Sequence, residues 1–322
     1  MALLRSLLDP FVVLLLATVA LASFLPAKGD AARIVDGVAD AGIVLLFFLH
    51  GAKLSRSAII AGASNWRLQL LTPLVTFAIF PLLGIGLSEA AYSTGIVLPM
   101  IASGLLFLTL LPSTVQSSIA FTSIAGGNVA AAVCAASFSN IAGIILTPLL
   151  TGLLMHLSAA GQSDIWASAE VIAMHLLLPF VLGHLARPWI SGFVARHSAL
   201  VGRVDRGAIL LIVYSAFSAA VVEGLWQKLS PAAVLVICGL CIALLAVVLT
   251  LSWFLGKAAG LAVEDRIVLL FCGSKKSLAS GVPMAGALFP ASQVGLLILP
   301  LMLFHQIQLI ACAVIARRLA PR

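Results

Sequence analysis

Apolar runs of about 20 residues, the length that crosses the hydrocarbon core of a bilayer as a helix, follow one another along nearly the whole chain. They fall near residues 10–26, 34–51, 67–88, 94–112, 128–157, 165–186, 208–226, 231–255, 264–289 and 291–316. No other feature restricts the fold as strongly. A backbone surrounded by lipid must satisfy its own hydrogen bonds, which leaves helices or closed barrels, and runs of this length select helices. Composition agrees: 62% of the 322 residues are hydrophobic and 9% are charged, against about 25% charged in soluble domains. The expected fold class is an all-α integral membrane protein with ten transmembrane helices and the lipid bilayer as its surroundings.

The cations orient it. With a cytoplasmic N-terminus, 13 of the 18 lysines and arginines lie in inside segments. Lys28, Arg33 and Lys228 lie outside, and the remaining two, Lys275 and Lys276, lie within a span. Such a bias follows the positive-inside rule. It puts both termini in the cytoplasm of a plasma (inner) membrane protein and accounts for the net charge of +7 without a nucleic-acid partner. The longest polar connection, about 187–207, is too short for a soluble domain. The first run, after Asp9 and Pro10 and ending at Ala22 and Ser23, also has the form of a signal-peptide core; because a second span follows at once, a retained helix is the simpler expectation.

Enzyme chemistry has no footing here. There is no phosphate-cradling loop, no His-Glu-x-x-His, and no serine with a placed histidine and aspartate. Gly126-Gly127-Asn128 reads as a tight turn between helices. All five cysteines sit in spans, where thiols pack as small apolar groups; Cys238 and Cys241 have metal-pair spacing but no second pair. His156, His175, His184 and His305 show no ligand spacing, and Glu170 is placed to pair with His175 or with a panel partner. No cofactor is expected.

Two spans are interrupted. Pro112-Ser113-Thr114-Val115-Gln116-Ser117-Ser118 breaks the fourth, and Gly273-Ser274-Lys275-Lys276-Ser277 breaks the ninth. Each is the fourth element of a five-span half, and because five is odd the halves 1–157 and 158–322 would be inverted repeats, an arrangement of secondary transporters. Irregular backbone at that depth survives only when buried or lining a water-filled cavity. A lysine at mid-bilayer costs about 2.5–3.5 kcal/mol on insertion scales, so the lysine pair must be compensated there. The pair lies about ten residues, or roughly 15 Å, beyond the interface marked by Asp265 and Arg266, too deep for simple snorkelling.

Around these breaks a family resemblance emerges. Pro112 to Ser118, Gly127-Asn128-Val129-Ala130 and Leu146-Thr147-Pro148-Leu149-Leu150 resemble helices four and five of the bile acid:sodium symporter family. Phe77-Ala78-Ile79-Phe80-Pro81 is similar to its third helix, Phe47 to Gly51 to its second, and Phe271 to Gly281 to its ninth. The forms Phe48-Leu49-His50-Gly51, Asn65-Trp66-Arg67 and Ser274 to Ser280 resemble the branch that contains the seventh member of human solute carrier family 10. The resemblance implies a core domain, helices about 67–157 and 231–316, that carries crossing broken helices 4 and 9, and a panel domain, helices about 10–51 and 165–226. It also implies a substrate cavity between the domains, sodium ions behind the crossing, and alternating access.

Carried across, the family's sodium ligands fall on Ser117 and Ser118 after the fourth-helix break, Ala132 and Ala136 on helix five, and Thr76 on helix three. The ninth-helix glutamate falls at Phe271 and the nearby glutamine at Lys275. Losing the carboxylate and gaining ammonium groups argues against sodium coupling in the family's manner, although a sodium ion at Ser117 and Ser118 is left open. Lys275 is expected to place a tethered ammonium in the field of a half-helix C-terminus, with Lys276, about 100° further round if the backbone is helical, facing an anionic substrate or carrying a proton. Ser277 is a plausible cap of the next half-helix, whose N-terminus favours anions. The candidate substrate- and ion-binding set is Thr76, Thr114, Gln116, Ser117, Ser118, Ser137, Asn140, Ser274, Lys275, Lys276 and Ser277. Of Gln306 and Gln308, only one can point inward. The expected function is secondary transport of a small organic anion, in an oligomeric state the sequence leaves open. The alternative is a non-transporting membrane regulator or scaffold that keeps the fold.

Overall fold

A computed structural model of the chain describes residues 10–53, 65–93, 95–156 and 173–321, and each of the ten apolar runs carries a helix there. In chain order these are α1 Pro10–Phe24, α2 Asp30–Lys53, α3 Trp66–Ser93, α4 Pro99–Leu110, α5 Gln116–Ile124, α6 Val129–His156, α7 Leu178–Arg196, α8 Ser198–Val222, α9 Leu225–Lys228, α10 Pro231–Ala258, α11 Val263–Gly273, α12 Leu278–Leu288 and α13 Ala291–Leu319. No strand occurs among the described residues. α3, α8, α10, α13 and the stretch Val129–Met155 of α6 are long and apolar enough to cross a membrane. At 28 residues, α3 extends about 42 Å. The protein is an all-α integral membrane protein.

Local chemistry places the helix starts. Asn65 accepts the Leu68 amide at 3.3 Å to cap α3, Asn128 accepts the Ala131 amide at 3.1 Å to cap α6, and Ser230 accepts the Ala233 amide at 3.1 Å to cap α10. Each fills one of the donors a helix N-terminus leaves open. The two asparagines also donate to the two oxygens of Asp265, at 2.5 and 3.0 Å. One carboxylate thereby ties the starts of α3 and α6 to the first turn of α11. Gly126, with φ +72°, makes the turn between α5 and α6, in keeping with the sequence reading.

The helices pack as two units. One comprises Met1–Leu54, Gly152–Leu229 and Val282–Ile298. In it α2 and α7 cross through reciprocal glycines: a methyl group on Gly51 would lie 2.0 Å from the Phe180 carbonyl oxygen, and one on Gly183 would lie 1.9 Å from that of Phe48. Small residues at such crossings let backbones meet where lipid supplies no hydrophobic drive between helices. α2 is also pinned to α8 by a hydrogen bond from Ser215 to Asp36 and an ion pair between Lys53 and Asp205.

The other unit comprises Ser55–Thr151, Ser230–Gly281 and Leu299–Arg322, and both breaks lie in it. The fourth run is split into α4 and α5, of 12 and 9 residues, and the ninth into α11 and α12, of 11 each. The breaks are shifted from their sequence placement. Helix is lost only over 111–115 and 274–277, so Gln116, Ser117 and Ser118 form the first turn of α5 and Gly273 ends α11. Glu170 and the boundary between 157 and 158 lie outside the described residues.

Candidate functional site

Helix α3 contains a π turn, Val75–Ile79, in which the Phe80 amide donates to the Val75 carbonyl five residues back. In the same register the Thr76 carbonyl would need the amide of residue 81, which is Pro81 and has none. The Thr76 carbonyl is therefore left unfilled in a buried stretch of helix. α4 ends at Leu110 and likewise leaves carbonyls without intrahelical donors.

Lys276 fills these vacancies. Its Nζ donates at 2.8 Å to the carbonyls of Thr76, Thr109 and Leu111, using all three ammonium hydrogens. The residue is 0% exposed, and the Phe80 ring lies 4.1 Å from the ammonium. The neighbouring carbonyls at this end of α4 are also paired. Leu110 accepts from Thr147 at 2.8 Å, Pro112 from the Ser277 amide at 2.9 Å, and Ser113 from Asn140 at 2.7 Å. The bond from the Ser277 amide to Pro112 joins the two breaks directly, backbone to backbone.

Gln308 of α13 holds the Lys276 peptide from both sides. Its Oε1 accepts the Lys276 amide and its Nε2 donates to the Lys276 carbonyl, both at 2.9 Å. It is 0% exposed, whereas Gln306 is half-buried; of the two glutamines, Gln308 is the inward one.

Lys275 goes elsewhere. It too is 0% exposed, but among the described residues its Nζ has one hydrogen-bond partner, the Ser117 hydroxyl at 3.2 Å. The rings of Phe121 and Phe271 lie 4.4 and 5.8 Å from it. Beyond Ser117 a hydroxyl chain continues: Ser117 donates to Thr114 at 2.8 Å, Thr114 and Ser118 lie 3.0 Å apart, and Ser118 donates to the Phe271 carbonyl at 3.1 Å. Since Ser118 spends its hydrogen on Phe271, Thr114 is the donor to Ser118.

The sequence reading assigned the lysines the other way round. It put Lys275 in the half-helix field and Lys276 toward substrate, whereas Lys276 is the ammonium held by the end of α4. The physical reason is that residues 274–277 are not helical, so the 100° offset between neighbours does not apply. Three further candidates differ from expectation. Gln116 is exposed and makes none of these contacts. Ser137 is half-buried, and it is Ser139 that faces the break, accepting the Ser113 amide at 3.0 Å; two residues along a helix are about 200° apart. Thr76 contributes its carbonyl, while its buried hydroxyl has no partner.

The other candidates are brought together. Asn140 donates to the Ser113 carbonyl and accepts from Ser280 at 3.0 Å. Ser277 accepts the Ser280 amide at 3.1 Å and so caps α12. Ser274 donates to the Leu270 carbonyl at 2.5 Å, turned back onto α11. Gln308, Ser280 and Phe121 were not among the candidates. An amide midway along an apolar helix was the one available signal for Gln308; its partner is 32 residues away, a distance no local pattern spans.

Where the family resemblance puts sodium ligands, the side chains are Phe271, Ala132 and Ala136, each 0% exposed. The hydroxyls of Ser117 and Ser118 are committed to Lys275, Thr114 and the Phe271 carbonyl. These positions offer no carboxylate and bring one lysine, Lys275, onto the hydroxyls, so they do not fit a sodium ion.

Residues 9–321 match the model of the SBF-like CPA transporter family. The chain is 52% identical over 311 residues to "Putative symporter YfeH" of Escherichia coli, covering 97% of this chain and 92% of that one. It is 26% identical over 278 residues to sodium/bile acid cotransporter 7 of Mus musculus, covering 85% and 80%, and 24% identical over 306 residues to sodium/bile acid cotransporter 7-A of Xenopus laevis, covering 94% and 88%. With its two broken helices joined at a buried lysine pair, the chain belongs to the SBF-like CPA transporter family, in the bile acid:sodium symporter group alongside the sodium/bile acid cotransporter 7 proteins.

Proposed function

We propose that this symporter-type transporter moves a small organic anion by alternating access without sodium coupling, because Lys276 carries in its own side chain the cation that its relatives would bind. The observation that supports this reading is the Lys276 ammonium held by three carbonyls at the junction of the two breaks. The C-terminal end of α4 presents about half a negative charge, and a cation placed there is stabilised. A lysine meets the need permanently, whereas a bound ion would enter and leave. Two buried ammonium groups with no carboxylate among the named partners also leave a positive field, which favours an anionic solute.

In the same reading the chain has ten transmembrane helices in two inverted five-helix repeats, 1–157 and 158–322, with both termini in the cytoplasm of the inner membrane. Two features support this: the breaks fall at the fourth element of each half, and the cations are biased to one side.

Uptake by the protein in proteoliposomes, with sodium and pH gradients imposed separately, tests the proposal. Bile acids, sulfated steroids and simple carboxylates are the probes. Uptake of at least one of them without sodium is expected. Uptake strictly dependent on a sodium gradient refutes the tethered-cation reading, and neither binding nor flux for any of them favours the scaffold.

A further inference from the structure

We propose that Lys275 is a proton-loading site, exchanging its proton through the Ser117 hydroxyl, while Lys276 keeps its own. As an account of the coupling ion this rests on the transporter reading above; as an account of Lys275 it stands on the contrast between two neighbouring buried lysines. Every Lys276 hydrogen meets a carbonyl, and carbonyls only accept. Loss of a proton there would turn a lone pair toward one of them, so the site holds only the ammonium. Lys275 has a single partner, and that partner is a hydroxyl.

A hydroxyl can serve either form. With Lys275 as ammonium, Ser117 accepts from Nζ and passes its own hydrogen to Thr114, the arrangement seen. With Lys275 as amine, a turn of the Ser117 hydroxyl makes it the donor to the Nζ lone pair. The remaining bonds, Thr114 to Ser118 and Ser118 to the Phe271 carbonyl, need not change.

The surroundings permit both states. The titratable groups facing Lys275 are the thiols of Cys272 on α11 and Cys312 on α13, with Lys276 next in sequence. α5 faces it with Ser117 and Phe121, and α6 receives the Cys272 thiol on the Ala132 carbonyl. None of these groups is a carboxylate that would hold the ammonium charged. Ser117 is half-buried rather than closed off. On unloading, an N–H bond of Lys275 breaks as its proton passes to the Ser117 oxygen, while the hydroxyl proton of Ser117 gives up its bond to Thr114 and passes to water, which leaves Ser117 donating to the Nζ lone pair. The products are a neutral amine and a hydronium ion; loading is the reverse.

The test reads Lys275 without transport. The chain has six lysines, so side-chain NMR of lysine-labelled full-length protein in lipid nanodiscs gives few signals, assigned with Lys275→Arg and Lys276→Arg. The expected result is a Lys275 signal that passes between ammonium and amine within the pH range where the protein stays folded, while the Lys276 signal remains that of an ammonium. In Ser117→Ala the Lys275 midpoint falls by about one pH unit, a tenfold loss of proton affinity, because the hydroxyl holds the charged ammonium more strongly than the neutral amine. A Lys275 signal fixed in one form throughout overturns the proposal, as does a midpoint that Ser117→Ala leaves in place. Since no solute is involved, failure here is distinguishable from failure of uptake.

Discussion

Replacing Lys276 by alanine leaves the carbonyls of Thr76, Thr109 and Leu111 without their donor in a region closed to water. A buried carbonyl left unpaired costs about 1–3 kcal/mol, or about 3–9 kcal/mol for the three if nothing moves. Losing the ammonium also removes its own desolvation penalty, several kcal/mol in a protein interior. The two effects oppose each other, which puts the net loss near the lower end, about 3 kcal/mol. At about 2–4 °C per kcal/mol for a chain of this size, the melting temperature should fall by roughly 6–12 °C. Lys275→Ala removes one long hydrogen bond and a contact with the Phe121 ring, and should cost about 1 kcal/mol or less.

Both variants can be melted in detergent micelles with tryptophan fluorescence as the readout, first in choline chloride and then with methylammonium replacing choline at constant ionic strength. Methylammonium brings three N–H donors on a nitrogen bound to one methyl group, matching the end of the missing side chain. At ten times its dissociation constant it should restore about 1.4 kcal/mol to Lys276→Ala, or roughly 3–6 °C, and leave the wild type unmoved. If Lys276→Ala melts within about 2 °C of wild type, or Lys275→Ala proves the more damaging, the three-carbonyl account is refuted.

Gln308→Ala should destabilise by about 2 kcal/mol or more, because it strips both groups of the Lys276 peptide, and Gln306→Ala by much less; parallel thermal melts compare them. Gly51→Ala and Gly183→Ala each push a methyl group into a carbonyl of the facing helix and should cost about 1–3 kcal/mol. Gly37→Ala, with open space around it, is the neutral control in the same melts. Asp265→Ala releases Asn65 and Asn128 together and should cost about 1–3 kcal/mol, whereas either asparagine changed alone should cost less; an additive double-mutant cycle would show that the carboxylate does not couple them.

Much of the site's position was legible in the chain. Pro112 cannot continue a helix, and lysines between a glycine and serines in an apolar run need an irregular, polar backbone around them, so both breaks could be placed within a few residues. The partners could not. The Thr76 carbonyl becomes an acceptor because a π turn meets Pro81, and main-chain groups leave no signature in side-chain patterns. Ser139 rather than Ser137 meets the break because the phase of α6 against it is a property of packing. The lysine roles were reversed because an angular argument valid in a helix was carried into four residues that are not helical.

By itself the sequence determined that the chain is helical and lives in a membrane, that two spans are broken, and that a lysine pair stands in the second of the breaks. Length, hydropathy and proline act locally, and each leaves its mark in the order of residues. Only the tertiary structure decided which lysine is fixed and which has a single hydroxyl partner. That choice depends on carbonyls from α3 and α4 and on an amide from α13, brought together across up to 200 residues by packing rather than by any pattern along the chain.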